Sequence, residues 1–173
     1  MNTYTLEIVH DSDAEPPREN CEANVSIMSL FHDRYSFPNE GTYRTPDYES
    51  WADMATDIAK NGGVCITPVF MLDHSCVALS TSPFNDSWDS GQVGFAWTTL
   101  ERLDYLGVRL EDAFKAIQGD VEAYSEWLNG ECYGYVITDS EGMEVESCYG
   151  FIGSEYVQEY ATTVLADLES KVA

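Results

Sequence analysis

Apolar and polar residues alternate from the start of the chain. Tyr4, Leu6 and Ile8 fall on one face and Thr3, Thr5, Glu7 and Val9 on the other, the period of a half-buried strand. A polar loop containing Pro16 and Pro17 follows. A second strand is read over Asn24-Val25-Ser26-Ile27-Met28-Ser29-Leu30-Phe31. A long loop from His32 to Thr45 leads to a helix. Its stripe is Trp51, Met54, Ala55, Ile58 and Ala59, spaced i, i+3, i+4, i+7, i+8. Thr45 or Asp47 is the expected cap, with Pro46 in the first turn and Asn61-Gly62-Gly63 as the stop.

The period then returns to that of strands. Val64 to Leu72 reads as a strand, Asp73-His74-Ser75 as a turn, Cys76 to Thr81 as the returning strand, and Gln92 to Trp97 as a third. Together they suggest an antiparallel meander. Pro68 cannot donate to a ladder, so it is expected at an edge or a bulge. Thr98 or Thr99 should cap a short helix through Leu106. A longer helix from about Val108 to Leu128 carries Phe114, Ile117, Val121, Tyr124 and Leu128, with Gly119 as a candidate kink.

The last strands form a hairpin around Asp139-Ser140-Glu141-Gly142. Joining the face of Tyr133, Tyr135 and Ile137 to that of Met143, Val145, Tyr149 and Phe151 requires paired residue numbers with an even sum. Ser154 then caps a final helix with the stripe Val157, Tyr160, Ala161, Val164, Leu165 and Leu168. The order is ββ-α-βββ-αα-ββ-α, without a βαβ rhythm. The expectation is one α+β domain over residues 1–173, an antiparallel sheet with helices packed mainly on one face.

Charge changes this picture more than any other feature of composition. The 173 residues include 31 acidic and 8 basic ones, a formal net charge of −23. Such a chain repels phosphate backbones and anionic membranes, and attracts basic surfaces. Direct nucleic-acid binding and membrane binding are therefore not expected. Three readings of the acidity remain: mimicry of nucleic acid, adaptation to high salt, and solubility alone. No apolar stretch approaches the ~20 residues of a membrane helix. No secretory pattern precedes the first strand, and the cysteines (Cys21, Cys65, Cys76, Cys132, Cys148) are odd in number. Reduced thiols and a cytoplasmic setting in a host cell are expected.

Standard catalytic and cofactor fingerprints are missing, and neither cofactor nor metal is expected. Asn85, Ser87 and Asp89 faintly follow a calcium loop, but the glycine falls one place late at Gly91, and Ala96 stands in the closing position. His10, His32, His74 and the cysteines lack zinc-ligand spacing; the last hairpin offers Cys132 and Cys148 as a pair of thiols, but ordinary sheet residues are the favoured reading. In His32-Asp33-Arg34-Tyr35, Asp33 and Arg34 offer an ion pair to hold the long loop, and a solvated loop surface is the default reading. Tyr133-Gly134-Tyr135 and Cys148-Tyr149-Gly150-Phe151 look like a base-stacking sheet, but the net charge favours a core role.

The most distinctive segment is Asp73-His74-Ser75 through Ser80-Thr81-Ser82-Pro83-Phe84-Asn85-Asp86-Ser87-Trp88-Asp89-Ser90-Gly91-Gln92-Val93-Gly94. Two readings compete for it. In one, His74 is a general base, Asp89 orients it, and Ser75, Ser80 or Ser90 is the nucleophile. In the other, Asp73 and Ser75 close a turn, and the rest is a hydrogen-bonded loop pinned by Phe84 and Trp88. The second takes precedence, because nothing in the segment indicates an oxyanion hole.

This block is similar to one carried by a widespread family of proteins encoded by phages, plasmids and other mobile elements. Its signature positions are Asp73, His74, Ser75, Ser82, Phe84, Trp88, Asp89, Ser90 and Gln92. The resemblance extends to Phe31-His32-Asp33-Arg34-Tyr35, the Trp51 helix, Tyr133-Gly134-Tyr135-Val136 and Cys148-Tyr149-Gly150-Phe151, which covers most of the chain. Cys76 stands where relatives often carry glycine. The resemblance implies a genetic setting and supplies no catalytic residue. Small acidic proteins from that setting often inhibit host defence, and some imitate DNA, although this chain lacks the motifs of the elongated DNA-mimicking antirestriction proteins. The leading expectation is a non-enzymatic binding protein that inhibits a host nucleic-acid-binding or defence protein through an acidic face. One alternative is a small enzyme or ligand-binding protein using the His74/Asp89 loop. Another is a halophilic accessory protein whose acidity serves solubility.

Overall fold

The computed structural model describes residues 4–19, 22–86 and 88–172. Thr3, Cys21 and Ser87, named above, lie outside them. The described elements are β1 (Thr5–His10), β2 (Ile27–Leu30), α1 (Trp51–Lys60), β3 (Gly63–His74), β4 (Cys76–Ser80), β5 (Ser90–Thr99), α2 (Leu100–Leu106), α3 (Ala113–Leu128), β6 (Cys132–Thr138), β7 (Glu144–Ile152) and α4 (Ser154–Val172). This is an α+β chain with antiparallel strand pairing throughout. The strands divide between two sheets, ordered β1-β6-β7 and β2-β5-β3-β4. Each sheet belongs to one of two compact units, one formed by Met1–Pro17 and Glu126–Ala173, the other by Arg18–Ser125.

In the Arg18–Ser125 unit, α1 forms where the stripe places it. Met54 and Ile58 are fully buried against Phe95 and Trp97. Its cap is Ser50, which accepts from the Asp53 amide at 3.3 Å. Thr45-Pro46-Asp47 instead makes a separate 3-10 turn. The expected meander is replaced by a crossing: β5 returns to the far side of β3 from β4. The loop joining β4 to β5 spans residues 81–89, long enough for that return. Pro68 sits between two register shifts of β3, at a point where β4 pairing has not yet begun, so its missing donor costs no ladder bond. Thr99 caps α2, accepting from the Arg102 amide at 3.2 Å. The helix α3 runs unbroken through Gly119, and Phe114 is half exposed. Its buried stripe starts one place earlier, with Ala113, then Ile117, Val121 and Tyr124.

In the unit built from both chain ends, β1 and β6 pair with Leu6 opposite Ile137 and Ile8 opposite Tyr135. The α4 stripe covers that face, with Val157 and Ala161 fully buried. The β6–β7 hairpin departs from the even-sum register. Tyr133 pairs with Phe151, but Tyr135 pairs with Cys148 and Ile137 with Glu146. A bulge separates these pairings, and Gly150 adopts φ 86°, a left-handed value that glycine takes without a Cβ penalty. The bulge turns Tyr149 off the core face, a second register shift between Ile137 and Thr138 skips Val145, and Met143, Val145 and Tyr149 are all exposed. The same slip separates Cys132, which pairs with Ile152 and is buried, from Cys148, which is exposed. Of the aromatics assigned to the core, Tyr135 is buried and Tyr149 is not.

Candidate functional site

The signature block folds into the end of the β3–β4 hairpin and the loop before β5. His74 and Cys76 are paired across a turn of one residue, Ser75, held at φ 67°. The Asp86 carboxylate orders the following loop. Its Oδ1 accepts from the amides of Trp88 at 2.9 Å and Asp89 at 3.2 Å, which holds the Asp86 carboxyl below the usual carboxylate range. Ser90 Oγ donates to the Asp86 carbonyl. The Asp73 amide donates to the Asp89 carbonyl at 2.8 Å, tying loop to hairpin. These bonds order the loop without Trp88, whose side chain was expected to pin it. Trp88 is 94% exposed, whereas Phe84 is half-buried.

The loop brings together the acid and base named from the sequence. His74 Nδ1 and Asp89 Oδ2 are 2.9 Å apart, and the His74 pKa is raised, first by that hydrogen bond and then by the Asp89 charge. The serines are placed otherwise. Ser80 Oγ accepts from the Ser82 amide at 3.0 Å, Ser90 serves Asp86, and Ser75 occupies the turn. Among the described residues, the hydrogen bond of His74 goes to Asp89 and none joins it to these serines. The arrangement is a His–Asp pair that can hold or accept a proton, without a hydroxyl in line for attack.

Beside this pair lies a groove of about 300 Å³, whose polar lining is His32, Arg34, Asp73, Asp89, Ser90 and Gln92. Phe31, Met71, Trp88 and Val93 supply its apolar part. His74 is not among the lining residues and bears on the groove through Asp89. Arg34 does not pair with Asp33. It reaches 39 residues along the chain to Asp73, which also accepts from Tyr35 Oη at 3.0 Å. That bond, assisted by burial and the Asp73 charge, raises the Tyr35 pKa. The Arg34 guanidinium lies 5.8 Å from the centroid of the Tyr35 ring, within cation–π range. The sequence reading treated His32-Asp33-Arg34-Tyr35 as loop surface. Among the described residues, no three His, Cys, Asp or Glu side chains gather as metal ligands.

The His74–Asp89 contact has a measurable consequence. A base whose folded pKa is raised contributes stability below its unfolded pKa, and loses that contribution as pH rises through the folded value. Followed by NMR, His74 should titrate above the ordinary histidine value, and Asp89→Asn should return it toward that value. An unchanged midpoint in the variant would show that the contact is not populated in solution.

The acidity is distributed unequally between the two units. The unit built from both chain ends contains 14 acidic residues and a single basic one, Lys171. The other seven basic residues all lie in Arg18–Ser125. No described helix is long and apolar enough to cross a membrane. Comparison with protein-family models, with curated proteins and with solved structures finds no match to this chain.

Proposed function

We propose that this chain is a binding protein of a phage or mobile element that occupies the basic, nucleic-acid-binding surface of a host protein. The observation that carries this reading is the charge segregation: 14 carboxylates against Lys171 in the unit made of both chain ends. Charge needed only for solubility has no reason to exclude cations from one unit. Duplex DNA presents one negative charge per ~1.7 Å of its axis, so a dense carboxylate surface competes for the same lysines and arginines. The resemblance to mobile-element proteins supports inhibition of a defence component, such as a restriction or CRISPR protein, as the purpose of the contact.

Affinity capture from a host lysate at low salt tests the reading. The retained protein should bind nucleic acid on its own. It should leave the column as salt rises, and duplex DNA should displace it. Retention indifferent to both salt and duplex DNA would overturn the proposal.

The His74–Asp89 pair beside the groove favours a second reading, a small enzyme or ligand-binding protein. Its volume is at the lower end for small-molecule sites. Under the first reading His74→Ala leaves the captured protein unchanged. Under the second, a bound small molecule is lost with the imidazole.

A further inference from the structure

We propose that the free edge of β7 is the docking edge, and that an extended, arginine- or lysine-rich segment of the partner adds there as a fourth strand. The inference rests on the reading of a basic partner and names where and in what conformation that partner binds.

Sheet edges in folded proteins are normally short, covered or bulged, because their unpaired amides and carbonyls pair with any available strand. Both edges of the β2-β5-β3-β4 sheet follow that rule. The four-residue β2 is covered by residues 38–40, through the Leu30 amide to the Pro38 carbonyl at 2.9 Å and the Glu40 amide to the Met28 carbonyl at 2.8 Å. The five-residue β4 has the Leu79 amide taken by Ser125 Oγ at 2.9 Å. The six-residue β1, the opposite edge of the β7 sheet, keeps Leu6, Ile8 and Val9 partly covered. The nine-residue β7 is the longest edge strand, and no described strand pairs with its outer side; two register shifts interrupt its pairing with β6, and the Gly150 amide donates to Asp11 Oδ2 at 2.9 Å.

Exposure along β7 does not alternate. Glu144, Val145 and Glu146 are all exposed, as are Cys148, Tyr149 and Gly150, so both faces of the strand are open. An edge with Val145 41% and Tyr149 54% exposed has apolar surface to cover. Its charge selects the occupant. Glu144 and Glu146 flank Val145, with Asp139 and Glu141 in the preceding turn and no lysine or arginine in the strand. A second copy of the same edge would set these carboxylates against each other, which opposes self-pairing. An incoming basic strand meets them favourably, and its backbone supplies the ladder bonds.

The probe is a nine-residue peptide alternating arginine and valine, titrated against the full chain. Its control has the same sequence with alternate backbone nitrogens methylated, which keeps charge and removes strand pairing. The unmodified peptide should bind and protect β7 amides from hydrogen exchange, and methylation should weaken it about tenfold or more. Glu144→Lys with Glu146→Lys should weaken binding by a similar factor. Asp167→Lys with Glu169→Lys, an equal charge change at exposed sites on α4 in the same unit, should leave it within about twofold. Equal binding of the methylated peptide, or equal loss in both double variants, would overturn the docking edge while leaving the basic-partner reading intact. Absence of peptide binding alongside salt-sensitive capture from lysate would likewise reject the edge alone. Failure of both would reject the function as well.

Discussion

Gly94→Ala should lower the unfolding free energy by about 3 kcal/mol or more, the range reached when a well-packed backbone contact has no room to relax. Gly94 ends the signature block and lies in β5 between two neighbours, paired with Leu30 of β2 and Val69 of β3. A Cβ placed there would sit 2.0 Å from the Ser29 carbonyl oxygen and 2.9 Å from the Leu30 Cα. Both obstacles are main-chain atoms of an adjacent strand, so no side chain can rotate away. Relief requires β2 to leave β5, which would also break the Phe31 amide to Val93 carbonyl bond at 2.7 Å. Gly91, three residues earlier in the same block and strand, meets nothing within 4 Å of an added Cβ. Gly91→Ala should stay within about 0.5 kcal/mol of the parent. Urea unfolding of the two variants separates the cases, and equal stabilities would refute the packing account.

The contrast between these glycines bears on what the signature block is. Gly94 serves strand packing, Asp86 the loop turn and Ser75 the hairpin, so part of the block encodes local structure. Asp73, Asp89, Arg34 and Trp88 are placed differently. They surround a groove, and Trp88 exposes its ring instead of packing it. The block therefore joins two layers, a set of turn and packing residues and the groove lining they hold in place. A sequence gives no way to separate them, because both use the same small polar residues.

What was legible followed from periodicity within one element. The α1 stripe, the α4 stripe and the Thr99 cap needed only residues three or four apart, and local geometry decided them. The α+β class and antiparallel pairing followed from the element order. The departures all required distant partners. Arg34 found Asp73 instead of its neighbour Asp33 because the β3 end comes alongside the β2 exit in space. The β5 crossing depended on which side of β3 was free. In β7, Gly150 was visible as a turn-prone residue, but its left-handed conformation inserts a bulge that turns Tyr149 outward and Phe151 inward. An even-sum register presupposes an unbroken ladder, and two interruptions, one at Gly150 and one at Val145, end it.

Arg18→Ala should cost about 2 kcal/mol, because it leaves the buried Ser26 and the Glu40 carboxylate, itself a third exposed, without their donor. The Arg18 side chain is 5% exposed. Its Nε donates to Glu40 Oε1 at 2.7 Å and its Nη2 to Glu40 Oε2 at 2.8 Å, a forked pair. Nη1 reaches Ser26 Oγ at 3.1 Å, and Nη2 also reaches the Ser26 carbonyl at 2.6 Å. Ser26 is fully buried and spends its own amide on Asp120 at 2.7 Å, while Glu40 also accepts from the Met28 amide at 2.9 Å. The chain entering β2 is thus held by side-chain charge where a ladder has not begun. Arg18→Lys should recover only part of the loss, since a single ammonium cannot span both carboxylate oxygens and the carbonyl. Arg18→Met combined with Glu40→Gln should cost less than the sum of the single changes, because removing both charges leaves neither stranded. Salt distinguishes this pair from the rest of the electrostatics. The repulsion behind a net charge of −23 is spread over exposed carboxylates and is screened, so both parent and Arg18→Ala should gain stability between low and moderate salt. The gap between them should narrow only in part, because Glu40 is a third exposed and screened while the bonds to the buried Ser26 are not. A gap that closes with salt would place Arg18 among the solvated surface charges and remove its role in fixing β2, the strand against which Gly94 packs.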